Sequence, residues 1–123
     1  MKVLIVEDDK VLSLLLTKMV ERLGLEVLAI SSKGHDAVQK TKNLSPDLIL
    51  MDIMLEDNLD GIEAMKQIRE NNIESPVIFI TGNSDPYNRE RAESTDFVDY
   101  LIKPVSYEEL TQSINKLNTD NHT

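Results

Sequence analysis

The chain of 123 residues contains no cysteine, so disulfide bonds and thiol redox chemistry are excluded. It also lacks an apolar run that could cross a bilayer, because its longest hydrophobic stretches have the length of a single β-strand. No secretory hydrophobic region follows the first residues, since Met1 and Lys2 lead directly into a strand pattern. From these absences we expect a soluble, cytoplasmic protein.

Positive charge is scarce: 13 lysines and arginines stand against 22 aspartates and glutamates, for a formal net charge of −9. Nucleic acids and membrane surfaces are polyanionic, so direct binding to either is disfavoured. The length is sufficient for one globular domain with a substantial core. We expect that domain at residues 1–118 and a short, frayed polar tail at 119–123.

Short apolar runs alternate with amphipathic segments five times along the chain. Such runs, bounded by turn residues, are typical of strands buried on both faces of a parallel sheet. The expected strands are about 2–7, 26–30, 47–52, 77–80 and 97–102. The expected helices are about 10–23, 35–43, 60–71 and 87–94, with a last helix after a capping box at Ser106 and Glu109. This alternation predicts an α/β fold, a doubly wound five-stranded parallel sheet between two helical layers.

The predicted helices differ in how much apolar surface they offer. The first is expected to bury five side chains, those of Leu12, Leu15, Leu16, Met19 and Leu23. The fourth offers little beyond Tyr87 and Ala92 as an apolar face, although Asp85 is well placed to cap it. A helix with so few anchors should be loosely held.

Polar residues stand where four of the apolar runs end. They are Glu7 with Asp8, Asp52, Thr81 and Lys103. Ligands of open α/β sheets bind outside the carboxyl ends of the strands, so we expect these side chains to converge. For the acidic residues to meet, strands one and three should be neighbours. Clustered carboxylates repel one another without a counter-ion, and hard oxygen ligands suit Mg²⁺.

Each of these residues also has an ordinary structural explanation. Acidic residues at strand–helix junctions commonly cap helices, and we expect Asp9 to do so. A strand-terminal Asp52 often caps a turn, and most lysines are solvated. Beside a metal, however, a carboxylate such as Asp52 can attack phosphorus, while Thr81 and Lys103 bond phosphoryl oxygens. Each signal is weak alone, but four of them at strand ends are strong.

This ordered set resembles the response-regulator receiver domain of two-component signalling. The matching segments are 3–9, 46–52, 60–61, 80–82 and 100–104, and the likeness covers about residues 1–117. It implies a flavodoxin-like strand order 2-1-3-4-5 and a cis peptide bond between Lys103 and Pro104.

The resemblance also implies a phosphorylation site. Asp52 would accept a phosphoryl group from a sensor histidine kinase or a phosphotransfer protein. Glu7, Asp8, Asp52 and the backbone carbonyl of Met54 would bind Mg²⁺. Such a domain is a phosphoacceptor and not an enzyme, assisting only its own phosphorylation and a slow autodephosphorylation. Met54 and Asn83 occupy the positions that would control the access of water.

The same resemblance implies a switch. Lys103 would pair with the phosphoryl group, and Thr81 and Tyr100 would respond to it, shifting the face of helix four, strand five and helix five. The partner is then a downstream effector domain or protein, or a second copy of the chain after phosphorylation. Since no effector domain follows Asn118, we expect either a stand-alone regulator or an excised receiver.

The segment from Ile53 to Gly61 departs from the pattern of many relatives, which leaves the shape of this loop open. Two other functions also stay open. One is a receiver-like interaction module that is never phosphorylated. The other is a phosphatase of the haloacid dehalogenase type. In those enzymes the nucleophile lies on the first strand with a second Asp two residues later. Here the nucleophile candidate is on the third strand and Met54 holds that second position.

Overall fold

The computed structural model describes residues 1–82 and 84–120, with side chains described up to Leu117. The strands are β1 (Lys2–Val6), β2 (Glu26–Ser31), β3 (Leu48–Met51), β4 (Val77–Thr81) and β5 (Asp99–Ile102). The helices are α1 (Lys10–Arg22), α2 (Gly34–Leu44), α3 (Gly61–Glu70), α4 (Pro86–Ala92) and α5 (Tyr107–Asp120). A 3₁₀ turn at Glu93–Thr95 follows α4.

All five strands pair in parallel in the order β2-β1-β3-β4-β5. The chain moves outward from β1 to β2 and then crosses to β3 on the other side of β1. The strand order therefore reverses at β1 and β3, and a crevice opens at their carboxyl ends. The flavodoxin-like order and the expected pairing of the first and third strands are confirmed.

Each face of the sheet carries its own apolar core. On one face, α2, α3 and α4 pack against the sheet, and the buried cluster between them includes the strand residues Leu4, Ile49 and Phe79 and the helix residues Met65 and Ala92. On the other face, α1 and α5 pack against the sheet, and a second buried cluster includes the strand residues Ile5 and Leu50 and the helix residues Leu16, Leu110 and Ile114. The sheet is thus buried on both faces between two helical layers, as the near-continuous apolar strands predicted.

Several element boundaries differ from the predicted ones. Strands β1 and β3 each end one residue early, so that Glu7 and Asp52 are the first residues beyond the sheet. Strand β5 begins at Asp99, because Phe97 instead packs edge-on against Phe79 at a centroid distance of 6.0 Å. Helix α5 continues to Asp120, two residues into the predicted tail, and residues 121–123 lie outside the described part.

Two predicted apolar anchors are wrong. Leu15 is 46% exposed, because the buried stripe of α1 is centred on Leu16 and Val20 and takes in Ser13. Tyr87 is 66% exposed, which leaves Ala92 as the buried side chain of α4. The fourth helix therefore has an even smaller apolar anchor than the sequence indicated.

Candidate phosphoryl-accepting and metal-binding site

Backbone hydrogen bonds fix the polar residues that follow the strands. The N–H of Glu7 donates to Ser31 O at 2.8 Å, and the N–H of Asp52 donates to Val6 O at 2.9 Å. The N–H of Lys103 donates to Thr81 O at 2.8 Å. The parallel ladder thus extends one residue beyond the strands and holds the functional side chains on a rigid base.

An ammonium group lies between two buried carboxylates at the centre of the site. Lys103 Nζ donates a hydrogen bond to Asp52 Oδ2 at 3.0 Å and lies 3.0 Å from Glu7 Oε1. Glu7 and Asp52 are only 3% and 4% exposed. The contact with Glu7 is an ion pair without directed hydrogen-bond geometry, since Glu7 Oε1 has no hydrogen-bond donor within residues 1–82 and 84–120. One positive charge therefore compensates two buried negative charges incompletely.

This imbalance appears in the pKa values of the two partners. Burial, reinforced by the nearby Asp52 carboxylate, raises the pKa of Glu7 to about 7, despite a hydrogen bond from the Asp9 N–H and the Lys103 ammonium group beside it. Burial opposes the charge on Lys103, but the hydrogen bond to Asp52 and attraction to the Asp52 and Glu7 carboxylates outweigh it and raise the Lys103 pKa. The site thus holds a firmly charged lysine and a carboxyl group that ionises reluctantly.

The acidic residues fit a divalent cation. Ligand oxygens of Glu7, Asp8 and Asp52 all lie within 4.8 Å of one another. No described residue donates a hydrogen bond to the buried Glu7 Oε1, and a bound cation would satisfy this oxygen. Three carboxylate oxygens are a donor set suited to Mg²⁺, which also retains several waters.

Asp9 has the separate role predicted for it. Its Oδ1 accepts hydrogen bonds from the N–H groups of Val11 and Leu12 at 2.9 and 3.1 Å, which caps α1. Its own N–H donates to Glu7 Oε2 at 3.1 Å and so orients that carboxylate.

The site opens to solvent through a cleft of about 430 Å³. Its lining contains nearly all the residues that the sequence singled out: Glu7, Asp8, Asp9, Asp52, Met54, Thr81, Gly82 and Lys103. Thr81 is fully buried at the end of β4, and the Met54 side chain is 68% exposed at the rim. The peptide bond between Lys103 and Pro104 is cis, as predicted.

Tyr100 lies outside this cleft in an aromatic cluster. Its ring is 6.1 Å from Phe79 and 5.9 Å from Phe97, and the residue is only 6% exposed. Tyr100 on β5 is the register partner of Phe79 on β4, and Phe79 lies two residues before Thr81. Side chains two residues apart on a strand point to the same face, so the predicted switch residues Tyr100 and Thr81 share one face of the sheet. Among the residues that the structure describes, none offers a hydrogen-bond partner to the buried hydroxyl of Tyr100.

Sequence reasoning missed the arginines that hold α4. Arg89 lies over the rings of Tyr100 and Phe97, with its guanidinium carbon 5.3 and 5.6 Å from their centroids. Arg91 Nη2 donates to Asp60 Oδ2 at 2.9 Å. The available signal was the pair of arginines on a helix with almost no apolar residues, which indicates attachment by charge and ring contacts.

None of the helices within residues 1–82 and 84–120 combines the length and the apolar content that crossing a membrane requires.

Comparisons with known proteins agree with this geometry. The family model for the response regulator receiver domain matches residues 3–115. The alkaline phosphatase synthesis transcriptional regulatory protein PhoP of Bacillus subtilis is 32% identical over 94% of this chain and 48% of its own length. The chemotaxis protein CheY of the same organism is 30% identical over 94% of this chain and 95% of its own length.

A solved structure agrees as well. The signal receiver domain of a modulated diguanylate cyclase from Desulfovibrio desulfuricans G20 superposes with a TM-score of 0.84 at 38% identity, covering 93% of this chain and 90% of that one. The chain spans about half the length of several curated relatives that it matches. Neither the phosphatase nor the unphosphorylated module is favoured by these matches. The chain belongs to the response regulator receiver domain family, whose members serve two-component signalling.

Proposed function

We propose that this chain is the phosphoaccepting switch of a two-component phosphorelay and that Asp52 is its acceptor. Receiver domains are phosphoacceptors and not conventional enzymes. One observation carries the proposal: Lys103 Nζ lies 3.0 Å from both Glu7 and Asp52 at the base of an open cleft. A buried carboxylate beside a fixed cation and two further acidic groups is the arrangement that phosphoryl transfer to a carboxylate needs.

The metal ligands would be the carboxylates of Glu7, Asp8 and Asp52 and the backbone carbonyl of Met54. When bound, Mg²⁺ supplies neutralisation of charge on the phosphoryl oxygens and alignment of the transferred group. Glu7 must be ionised to act as a ligand, so its raised pKa links metal affinity to proton release.

In the transfer step, one oxygen of the Asp52 carboxylate forms a bond to phosphorus. The bond from phosphorus to the donor breaks at the same time, and its electron pair leaves with the donor. The donor is the phosphohistidine of a sensor kinase or of a phosphotransfer protein. Lys103 can turn from Asp52 Oδ2 to a phosphoryl oxygen within the same short reach, so it supplies charge without moving its backbone.

The switch would act through the residues beside the acceptor. The new acyl phosphate carries roughly −1.5 to −2 charge and three acceptor oxygens. The Thr81 hydroxyl would bond one of these oxygens, and Tyr100 would respond to the space that Thr81 leaves. Helix α4 is the element that can move at least cost, because Ala92 is its buried anchor. The partners would read the face of α4, β5 and α5.

We also propose what receives the signal downstream and how long the acyl phosphate persists, although fewer observations bear on these two points. The output is an effector domain or protein, and phosphorylation is read through it or through a homodimer of this chain. The relatives act in transcriptional regulation, for PhoP, and in chemotaxis, for CheY, so both an attached effector domain and a separate effector protein are compatible with the family. Autodephosphorylation would be slow, because the apolar Met54 side chain at the rim cannot orient a water. The companion position, Asn83, lies outside the described residues. We place this activity in the cytoplasm.

The test is exposure of the purified chain to acetyl phosphate and Mg²⁺, followed by intact-mass measurement. We expect one phosphoryl adduct on the parent and none on Asp52→Asn, which preserves the shape of the side chain. Repeated turnover without a retained adduct would support a phosphatase, and no adduct under any condition would support an unphosphorylated module. An adduct that persists on Asp52→Asn would move the acceptor elsewhere.

A further inference from the structure

Helix α2 begins without a capping side chain of its own. Its N-cap residue is Lys33, whose side chain makes no capping hydrogen bond. By contrast, α1 and α3 are capped by Asp9 and Asp60, the residues directly before them. The first N–H groups of α2 must therefore find acceptors elsewhere, since unpaired N–H groups at a helix end cost stability.

The acceptor comes from another part of the chain. Asp57, in the loop between β3 and α3, accepts hydrogen bonds from both Gly34 N–H at 2.8 Å and His35 N–H at 3.0 Å. Its two oxygens bind one N–H each, a fork that fixes the carboxylate in position. Partial desolvation opposes ionisation of Asp57, but the bonds from His35 and Gly34 outweigh it and lower its pKa. A loop carboxylate thus caps a helix about 22 residues away in sequence.

Neighbouring contacts bring the same two segments together. Glu56 N–H donates to Ser32 O at 3.1 Å, and Ser32 Oγ donates to Glu56 Oε2 at 3.2 Å. A Cβ placed at Gly34 would overlap the backbone oxygen of Leu59, so the start of α2 lies against the loop with no room for a side chain. The loop is therefore docked on α2 over several residues.

This loop begins at the proposed acceptor. Its two ends close on each other, because Gly61 N–H donates to Ile53 O at 2.8 Å and a Cβ at Gly61 would overlap the backbone oxygen of Asp52. Met54 lies just inside that closure, and its side chain is 68% exposed, so side-chain packing contributes little to holding its backbone. The backbone at Met54 is then held between the closure at Ile53 on one side and the docked outer part of the loop on the other.

We propose that Asp57 is a positioning residue for the metal site: by capping α2 from the β3–α3 loop, it holds the Met54 backbone carbonyl where it can ligate a divalent cation. The inference rests on the proposed function, since it assumes that Mg²⁺ binds beside Asp52. If the inference is correct, the start of α2 supports the metal site, although α2 contributes none of the side chains at the strand ends. Asp57 itself would touch neither the metal nor the phosphoryl group, since it is not among the residues that line the cleft.

Mg²⁺ affinity is the measurement, taken by titration calorimetry or amide shifts at a temperature where every variant is folded. Asp57→Ala should lower the affinity by about tenfold, the lower end of the range for residues that orient metal ligands. Asp57→Asn should fall between this variant and the parent, because its amide oxygen can accept one of the two hydrogen bonds. It also provides a measurement if the alanine variant fails to fold.

Two controls separate positioning from charge and from stability. Glu56→Gln removes the same charge from the same loop but keeps the backbone bond to Ser32, and should change affinity by less than about twofold because exposed charges are screened. Asp47→Ala removes a carboxylate that accepts the Lys2 N–H at 2.8 Å at the opposite end of the sheet, and should cost stability without changing affinity.

An Asp57→Ala affinity equal to the parent's, or an equal loss in Glu56→Gln, would overturn the inference and leave the proposed function intact. Absence of Mg²⁺ binding by the parent would instead overturn the metal site itself.

Discussion

The neighbouring strands β3 and β4 both end at the cleft, and the segments that follow them are held in different ways. After β3, residues 53–60 are docked on α2 through the Asp57 fork and the Glu56–Ser32 bonds, and their ends close at Ile53 and Gly61. After β4, the described residues lead into α4, a helix of seven residues whose buried side chain is that of Ala92. The first segment is fixed by directed hydrogen bonds, and the second has little to fix it.

The attachments of α4 are weak in magnitude. Arg89 over Tyr100 and Phe97 is worth about 0.5–1 kcal/mol at an exposed site. The Arg91–Asp60 pair, with side chains 23% and 26% exposed, adds a similar amount or less. One fully buried leucine would contribute about 1.5–3 kcal/mol. This difference supports the proposal that the fixed segment serves metal binding and that the weakly held helix carries the conformational response.

The largest effect is expected from removing a carboxylate on the metal-binding side. Saturating Mg²⁺, at about 100 times its dissociation constant, should raise the parent's unfolding free energy by about 2.7 kcal/mol. Asp8→Ala should abolish this increase and stabilise the metal-free protein, because it relieves repulsion with Glu7 and Asp52. Denaturant unfolding with and without Mg²⁺ measures both effects.

Asp9→Ala is the matched control for that variant. It removes the adjacent carboxylate and the cap of α1, at a cost of about 1 kcal/mol, but should leave the response to Mg²⁺ unchanged. If Asp8→Ala still responds to Mg²⁺ as the parent does, the ligand set is wrong.

A smaller effect is expected from pH, acting on the loop's attachment to α2. The Asp57 pKa lies below its ordinary value of 3.8 in the folded chain. Its stabilising contribution is therefore present above 3.8 and disappears as pH falls through the lower folded pKa. Asp57→Asn should be less stable than the parent near neutral pH by about 1 kcal/mol, because its amide oxygen can accept only one of the two hydrogen bonds, and the difference should shrink in acid. A difference that grows on acidification would contradict the assigned direction of the pKa shift.

The smallest effect concerns α4. Arg91→Ala should lower the unfolding free energy by only about 0.5 kcal/mol, because the ion pair is partly exposed. Hydrogen exchange should nevertheless accelerate in α4 and remain unchanged in residues 53–59, which exclude the Arg91 partner Asp60. Lys40→Ala, which breaks the comparable Asp36–Lys40 pair on α2, should leave exchange in α4 as it is in the parent. Equal acceleration in both segments would remove the distinction between them.

The sequence predicted the sheet and the cleft because both depend on strong local signals. Apolar runs such as 48–51 specify buried strands, and the residue that follows each run must lie at the edge of the sheet. Caps with local partners, such as Asp9 on α1 and the capping box of Ser106 and Glu109 on α5, were equally accessible.

The failures are of a different kind. Leu15 and Tyr87 were assigned to buried faces because they are apolar, but tertiary packing selects which arc of a helix faces the sheet, and in α1 it selected Ser13 in preference to Leu15. The cap of α2 by Asp57 has no local signature, since its donors lie in another segment. The arginines of α4 were visible, but their partners Asp60, Phe97 and Tyr100 lie in other segments and have no local signature either.

Hydrogen exchange of the phosphorylated chain, compared with Asp52→Asn treated identically in acetyl phosphate and Mg²⁺, tests the central distinction most directly. We expect one phosphoryl adduct on Asp52. Amide hydrogen exchange should change mainly in α4 and β5 and change little in residues 53–60 or at the start of α2. Altered exchange concentrated in residues 53–60 and the start of α2, with α4 unchanged, would contradict this expectation.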